Sequence, residues 1–224
     1  MKNNPYFSPT PWDSHVFHMP CFEITKLNEE ALQIACKNSA HYTIKVDPLA
    51  DKRLLHKYGF YYTDTLIEPH CAKKDFITHE HAAIGIIEQP ELDQLLPMCD
   101  HSFLHGRFHR DFLLSQKDAD QRYKQWLSQL HAENHVLGLT YDHTLAGFIA
   151  YKGGNLLLHT IASDFRGQGL GKFFWSLAIE HLLNKGETNI QSSVSGANLA
   201  ILNLYISLGF RFHHPIDIYH KLTR

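Results

Sequence analysis

The stretch Arg166-Gly167-Gln168-Gly169-Leu170-Gly171 joins an apolar segment of strand character to an apolar segment of helical character. Alternate glycines let the backbone pass close to a ligand and take conformations that a side chain closes off. Amides left free at the start of the following helix, aided by its dipole, make a seat for a pyrophosphate. A P-loop is excluded, because Arg166 opens the stretch and Phe173 follows Lys172 where Ser or Thr belongs. The G-x-G-x-x-G spacing of dinucleotide folds is also missing. Downstream, past one helical and one strand segment, Asn198, Tyr205, Gly209 and Phe210 stand at the spacing N-x6-Y-x3-G-F.

Together the two motifs resemble those of the GCN5-related N-acetyltransferase (GNAT) superfamily. Its acyl-CoA pyrophosphate loop reads R/Q-x-x-G-x-G/A, and the N/Y/G-F motif closes its catalytic half. The resemblance implies a mixed α/β fold (an α+β mixed sheet), acetyl-CoA or another acyl-CoA as co-substrate, and transfer of the acyl group to an amine.

Composition agrees with a folded enzyme. An apolar content of 44% is ample for a core. The balance of 21 basic against 23 acidic residues provides no polycationic field for nucleic acid or an anionic membrane. No apolar run reaches the length of a membrane span, and Met1 to Ser14 has no apolar signal region. Cys21, Cys36, Cys71 and Cys99 are widely spaced without a C-x-x-C pair, which suits free thiols and a cytoplasmic location. Among 18 histidines, His101, His105 and His109 would share a face if helical, but Gly106 and the lack of acidic partners argue for no metal.

The polar stretch 73–81 divides the chain into an accessory domain, 1–78, and a catalytic domain, 79–224. In the second, periodicity predicts a strand at 82–88, a helix at 90–101, a loop at 105–115 and a helix at 117–132. Strands at 135–141 and 144–151 join through a tight turn at Asp142-His143, and a third at 155–162 enters the glycine loop. A helix (169–185), a strand (188–195), a helix (199–208) and two terminal strands (210–212 and 216–222) complete the expectation. In the first half, Leu54-Leu55-His56-Lys57-Tyr58-Gly59-Phe60 echoes Leu204 to Phe210, with Leu55 at the place of Tyr205 and Pro48 at that of Asn198. It reads either as a degenerate GNAT-like duplicate without the glycine loop or as an ordinary helix–Gly–strand turn.

Trp12-Asp13-Ser14 with Phe17, Gly106-Arg107-Phe108, and Tyr123 with Trp126 resemble nucleotide-amino-sugar N-acyltransferases of the dTDP-fucosamine acetyltransferase type. That resemblance implies a dTDP- or UDP-linked amino sugar as acceptor, an acetyl or short hydroxyacyl donor, and a place in polysaccharide biosynthesis. A homodimer is compatible with it. Another small amine or peptide amine as acceptor, or a non-catalytic acyl-CoA-binding module, are the alternatives.

By the superfamily resemblance, Arg166, Gly167, Gln168, Gly169, Leu170 and Gly171 bind the pyrophosphate. Ile161 and Ala162 offer strand-end amides to the pantetheine and the thioester carbonyl. Asn198 serves the cofactor arm, or simply caps its helix. Tyr205, a phenol protonated at neutral pH, is the expected acid for the leaving thiolate. His159 shares a strand face with Ile161 and is the candidate base, with a water chain as the rival. Acceptor contacts are expected from His105, Arg107, Phe108 and Trp126.

Overall fold

The computed structural model describes residues 4–224; residues 1–3, at the start of the first half, lie outside it. One sheet runs through the molecule in the order β1-β2-β3-β11-β4-β9-β8-β7-β6-β5, with β10 added beside β4.

The first half supplies β1 (Phe7–Pro9), α1 (Pro11–Phe17), β2 (Cys21–Ile24), α2 (Glu29–Lys37), β3 (Ala40–Val46), α3 (Arg53–Lys57) and β4 (Tyr61–Ala72). The second supplies β5 (Ile84–Ile87), α4 (Leu92–Leu95), α5 (Gln116–Ala132), β6 (Val136–Tyr141), β7 (Thr144–Lys152), β8 (Asn155–Ile161), α6 (Gly171–Asn184), β9 (Asn189–Ser192), β10 (Val194–Ser195), α7 (Leu199–Ser207) and β11 (Arg211–Thr223). Most neighbours are antiparallel; β2 with β3 and β8 with β9 are parallel.

Those two parallel pairs flank a central antiparallel pair, β11 with β4. Each half ends in a short helix, a glycine of positive φ (Gly59, +70°; Gly209, +87°) and a long strand. Each long strand crosses over, so that β4 lies against β9 and β11 against β3. The charged stretch after β4 does not hang free, because Ile77 N–H donates to the Leu208 carbonyl and His79 N–H to Ser176 Oγ.

Alternation along the strands builds the layers. Leu137, Leu139 and Ile149 face α6 and α7, whereas Val136, Phe148 and Leu158 face α5. Helix α5 starts where Ser115 Oγ accepts the Asp118 N–H, and it buries Ala119, Tyr123, Leu127 and Leu130. The first half has its own cluster around Leu32, Tyr42, Ile44 and Leu55.

Three sequence expectations are corrected. The two terminal strands are one strand, β11, with a register shift between His213 and Ile216. Pro215, which cannot donate to the ladder, is accommodated there as a bulge beside His214 at φ 46°. The helix expected over 90–101 shrinks to α4 and a 3₁₀ turn, Leu96–Cys99, around Pro97. The strand expected over 188–195 divides, with β9 beside β8 and β10 beside β4.

Candidate active site

The division of β9 from β10 creates the site. Strand β8 pairs with β9 only at Asn155–Gln191 and Leu156–Ser192, while Val194 and Ser195 turn away to β4. Beyond Leu156 the edge of β8 that faces away from β7 is left without a strand partner. A cavity of about 870 Å³ occupies this wedge. Its wall runs from Arg166, Gly169, Gly171 and Lys172 past Asn198 and His159 to His105, Arg107 and Trp126.

At one end, Gly167 and Gly169 both take φ +73°, and no atom lies within 4 Å of where a Cβ would stand on either. A side chain there would be strained and would project into the open space beside the loop. Leu170, at the N-cap of α6, supplies no side-chain cap to the helix amides. Bare amides around an open glycine cradle fit a pyrophosphate. Asn198 Oδ1 caps α7 through the Ile201 N–H (3.2 Å), and the residue also lines the cavity, so it is placed for both expected roles.

The strand-end amides differ from each other. Ala162 N–H is spent on the Ala146 carbonyl (2.8 Å), which removes it as a contact for the donor. Ile161 is the next residue back, and alternation turns its N–H to the open edge. Arg166 Nε donates to the Ile161 carbonyl (2.7 Å), so its guanidinium fastens the strand end. Gln168 Nε2 donates to the Asp164 carbonyl (2.7 Å), and the Leu170 side chain is buried.

Tyr205 and His159 are brought together, with Tyr205 Oη 3.1 Å from His159 Nε2. Tyr205 is wholly buried and stands behind His159, which is on the cavity wall. Burial pushes the phenol up to about 12, and the Ser192 hydroxyl and Trp175 indole pull it partly back. Burial also pushes His159 down to about 4, so its ring is neutral at neutral pH. A neutral imidazole can accept the tyrosine proton, but it is a weak base.

At the other end, His105, Arg107, Phe108 and Trp126 all line the cavity. Phe108 is also part of the core with Val16, Phe17 and Leu114. Arg107 makes no hydrogen bond or ion pair with the described residues; its guanidinium lies 4.8 Å from the Phe108 ring centre. Burial and the charge of Arg122 lower its pKa. Arg122, which sequence reading passed over, pairs with Asp13 (3.1 Å) and stacks on Trp126 (4.8 Å). A second cavity of about 390 Å³, lined by Trp12, Asp13, Glu23 and Lys45, shares Arg107, Arg122 and Trp126 with the first.

The histidine face expected at His101, His105 and His109 does not exist, because that segment is not helical. His109 is buried, with Nε2 2.9 Å from Asp120 Oδ1, while His105 is exposed at the cavity. Elsewhere, His41 Nε2 and His220 Nδ1 lie 3.0 and 2.7 Å from Asp111 Oδ2, and Tyr61 donates to Oδ1 at 2.9 Å. The ligand atoms of His41, Asp111 and His220 lie within 4.8 Å of one another, close enough to hold a metal ion. Burial raises the Asp111 pKa, but hydrogen bonds from His220 and His41 outweigh it and hold the carboxyl well below its ordinary range. As folded, the cluster clasps the loop that carries Asp111 to β3, β4 and β11.

Residues 107–219 match the acetyltransferase (GNAT) domain family. The chain belongs to the GNAT acetyltransferases. Solved structures carry the same fold at low identity. A GCN5-related N-acetyltransferase from Sphaerobacter thermophilus superposes with a TM-score of 0.61 at 12% identity, over 88% of this chain and 65% of that one. A conserved protein of unknown function from Staphylococcus epidermidis gives 0.66 at 12% identity, over 100% and 94%. A tandem GNAT protein of the clavulanic acid biosynthesis pathway gives 0.56 at 13% identity, over 91% and 75%. No curated protein matches. The GNAT fold makes this an acyl-CoA-dependent N-acyltransferase, and the cradle and open strand edge are suited to acetyl-CoA as co-substrate. Among the described residues, no helix is long and apolar enough to cross a membrane.

Proposed function

We propose that this GNAT enzyme transfers an acetyl group from acetyl-CoA to the amine of a nucleotide-linked amino sugar. The observation that carries the acceptor class is Arg107, a guanidinium without a protein partner where two cavities meet. A half-buried guanidinium on a cavity wall with no protein partner is placed to pair with an anion, and a diphosphate does so with bidentate geometry. Trp126 and Arg122 beside it offer a flat surface for a ring, and the second cavity offers room beyond the sugar.

The donor would lie with its pyrophosphate on the Gly167–Gly169 cradle and its thioester along the open edge of β8, where the Ile161 amide polarises the carbonyl. The amine attacks that carbonyl directly. As the C–S bond breaks, the developing thiolate takes a proton from His159, which replaces it with the Tyr205 proton at Nε2. The excess proton of the new amide nitrogen then restores the phenol through the same imidazole. Residues 1–78 read as a degenerate GNAT-like half that kept its packing, with Leu55 buried where Tyr205 would be. The crossed-over pairing of β4 and β11 supports that reading, as does the tandem arrangement named for one structural neighbour.

The test is thiol release from acetyl-CoA with dTDP- and UDP-linked amino sugars, the same sugars without nucleotide, and a polyamine. Nucleotide-linked acceptors should have the highest kcat/KM. Arg107→Ala should raise their KM at least tenfold and leave bare amino sugars unaffected. Equal use of sugars with and without nucleotide would reject the acceptor class.

A further inference from the structure

Two carboxylates on the cavity wall come from the first half of the chain, Asp64, which is buried, and Glu68, which is exposed. Asp64 lies in β4, fully buried, and contributes to the lining beside Leu66 and Glu68. Its Oδ1 is held firmly, accepting from Ser195 Oγ at 2.7 Å and from Arg110 at 2.8 Å. Its Oδ2 has no hydrogen-bond partner among the described residues. Ser195 lies in β10, the strand that leaves β8 to open the wedge. The same departure that makes room for the thioester therefore fixes this carboxylate.

An unmet acceptor atom on a buried carboxylate is expensive, and proteins rarely retain one without a use. Here it belongs to a residue bordering a cavity that also contains a guanidinium without a protein partner, Arg107, which does not bond to it. Two unmatched groups of opposite sign around one cavity describe a ligand with a donor and an anion of its own. The reaction also lacks a competent base, since His159 is engaged with Tyr205.

We propose that Asp64 Oδ2 receives the acceptor's ammonium group and removes its proton, making Asp64 the general base of the transfer. This rests on the amine-acetylation reading above. In the step, one N–H bond of R–NH₃⁺ breaks and an O–H bond forms on Oδ2, so an ion pair becomes a neutral acid and a neutral amine. The nitrogen lone pair then bonds to the thioester carbonyl carbon, and the C–S electron pair leaves with sulfur, which takes the Tyr205 proton relayed through His159. The excess proton on the new amide nitrogen restores Tyr205 through His159, and Asp64 returns its proton to solvent. Burial raises the Asp64 pKa against the opposing pull of Ser195 and Arg110, which strengthens it as a base. Ser195 and Arg110 act as positioning residues.

The experiment compares two acceptors at neutral pH, using the wild type, Asp64→Asn and Ser195→Ala. One acceptor is the best alkyl amine of the panel, which is protonated at that pH. The other is hydroxylamine, which is already neutral. Asp64→Asn should lower kcat/KM for the alkyl amine by about 10²-fold or more, while the hydroxylamine rate and the acetyl-CoA KM stay within about threefold of wild type. Ser195→Ala should show the same selectivity at several-fold size, and it decides the matter if Asp64→Asn does not fold. Equal losses with both acceptors, no loss with either, or a wild type that acetylates no primary amine would overturn the assignment. Transfer to bare amines without benefit from a nucleotide would instead reject the nucleotide-sugar reading, and Asp64 would still be judged with the amine that is used.

Discussion

Replacing Tyr205 by Phe keeps a fully buried ring and deletes one oxygen, which makes its consequences separable. The hydroxyl's hydrogen bond to His159 Nε2, at 3.1 Å, is neutral on both sides. Losing such a bond costs about 1 kcal/mol, with a ceiling of about 3 kcal/mol if the imidazole nitrogen stays dry and unpaired. For a chain of this length, each kcal/mol lowers Tm by about 2–4 °C. The folded protein should therefore survive with a modest drop in Tm. Tyr205 stands behind the cavity wall, so the acetyl-CoA KM should not change. Turnover should fall by about 10²-fold or more, because proton donation to a leaving group is worth about 10²–10⁴-fold. The assay is steady-state thiol release at saturating acetyl-CoA, beside a thermal melt of the same preparation. A variant with the expected drop in Tm and near-normal kcat would make the hydroxyl structural and remove it from the chemistry.

Two further outcomes follow from the same structure. Gly209→Ala should destabilise the protein by about 2–5 kcal/mol in urea unfolding, combining the left-handed backbone cost with overpacking. Gly209 has φ +87° and its Cβ would stand 2.2 Å from the Asp75 carbonyl oxygen, so a change below about 1 kcal/mol would contradict the packing of the stretch after β4 against the end of α7. Acid should destabilise the fold through His159, whose pKa is about 4 in the folded protein against 6.5 ordinarily. Between those values the unfolded chain binds more protons, so this contribution is complete above about pH 6.5 and fades as pH falls towards 4. Tm measured across that window should fall less steeply in His159→Gln than in wild type, and parallel curves would refute the burial argument.

The parts of the fold that follow local rules were legible in the sequence. Helix α5 shows its buried face in the spacing of Ala119, Tyr123, Leu127 and Leu130, and the glycine loop carries its positive φ values in its composition. Motif or strand parity put Asn198, His159, Arg107 and Trp126 forward as candidates, and all four line the cavity. What the sequence hid depends on distant pairing. Pro215 reads as the end of a strand, yet β4 holds β11 together on both sides of the bulge. The amide of Ala162 looks as available as that of Ile161 until the Ala146 carbonyl opposite it is known. Asp64 had no signal, because its partner Ser195 is 131 residues away and they meet only through the crossing of β4 into the second half's sheet.

The central claim is that one glycine loop seats one acyl-CoA, and that the first half, which lacks such a loop, seats none. Isothermal titration of acetyl-CoA into the full chain and into Gly169→Val tests it directly. The account predicts one site per chain in the wild type. Affinity should be at least tenfold weaker in the folded variant, whose side chain fills the open space before the cradle at φ +73°. Two sites per chain, or a Gly169→Val protein that binds acetyl-CoA as tightly as wild type, would contradict it.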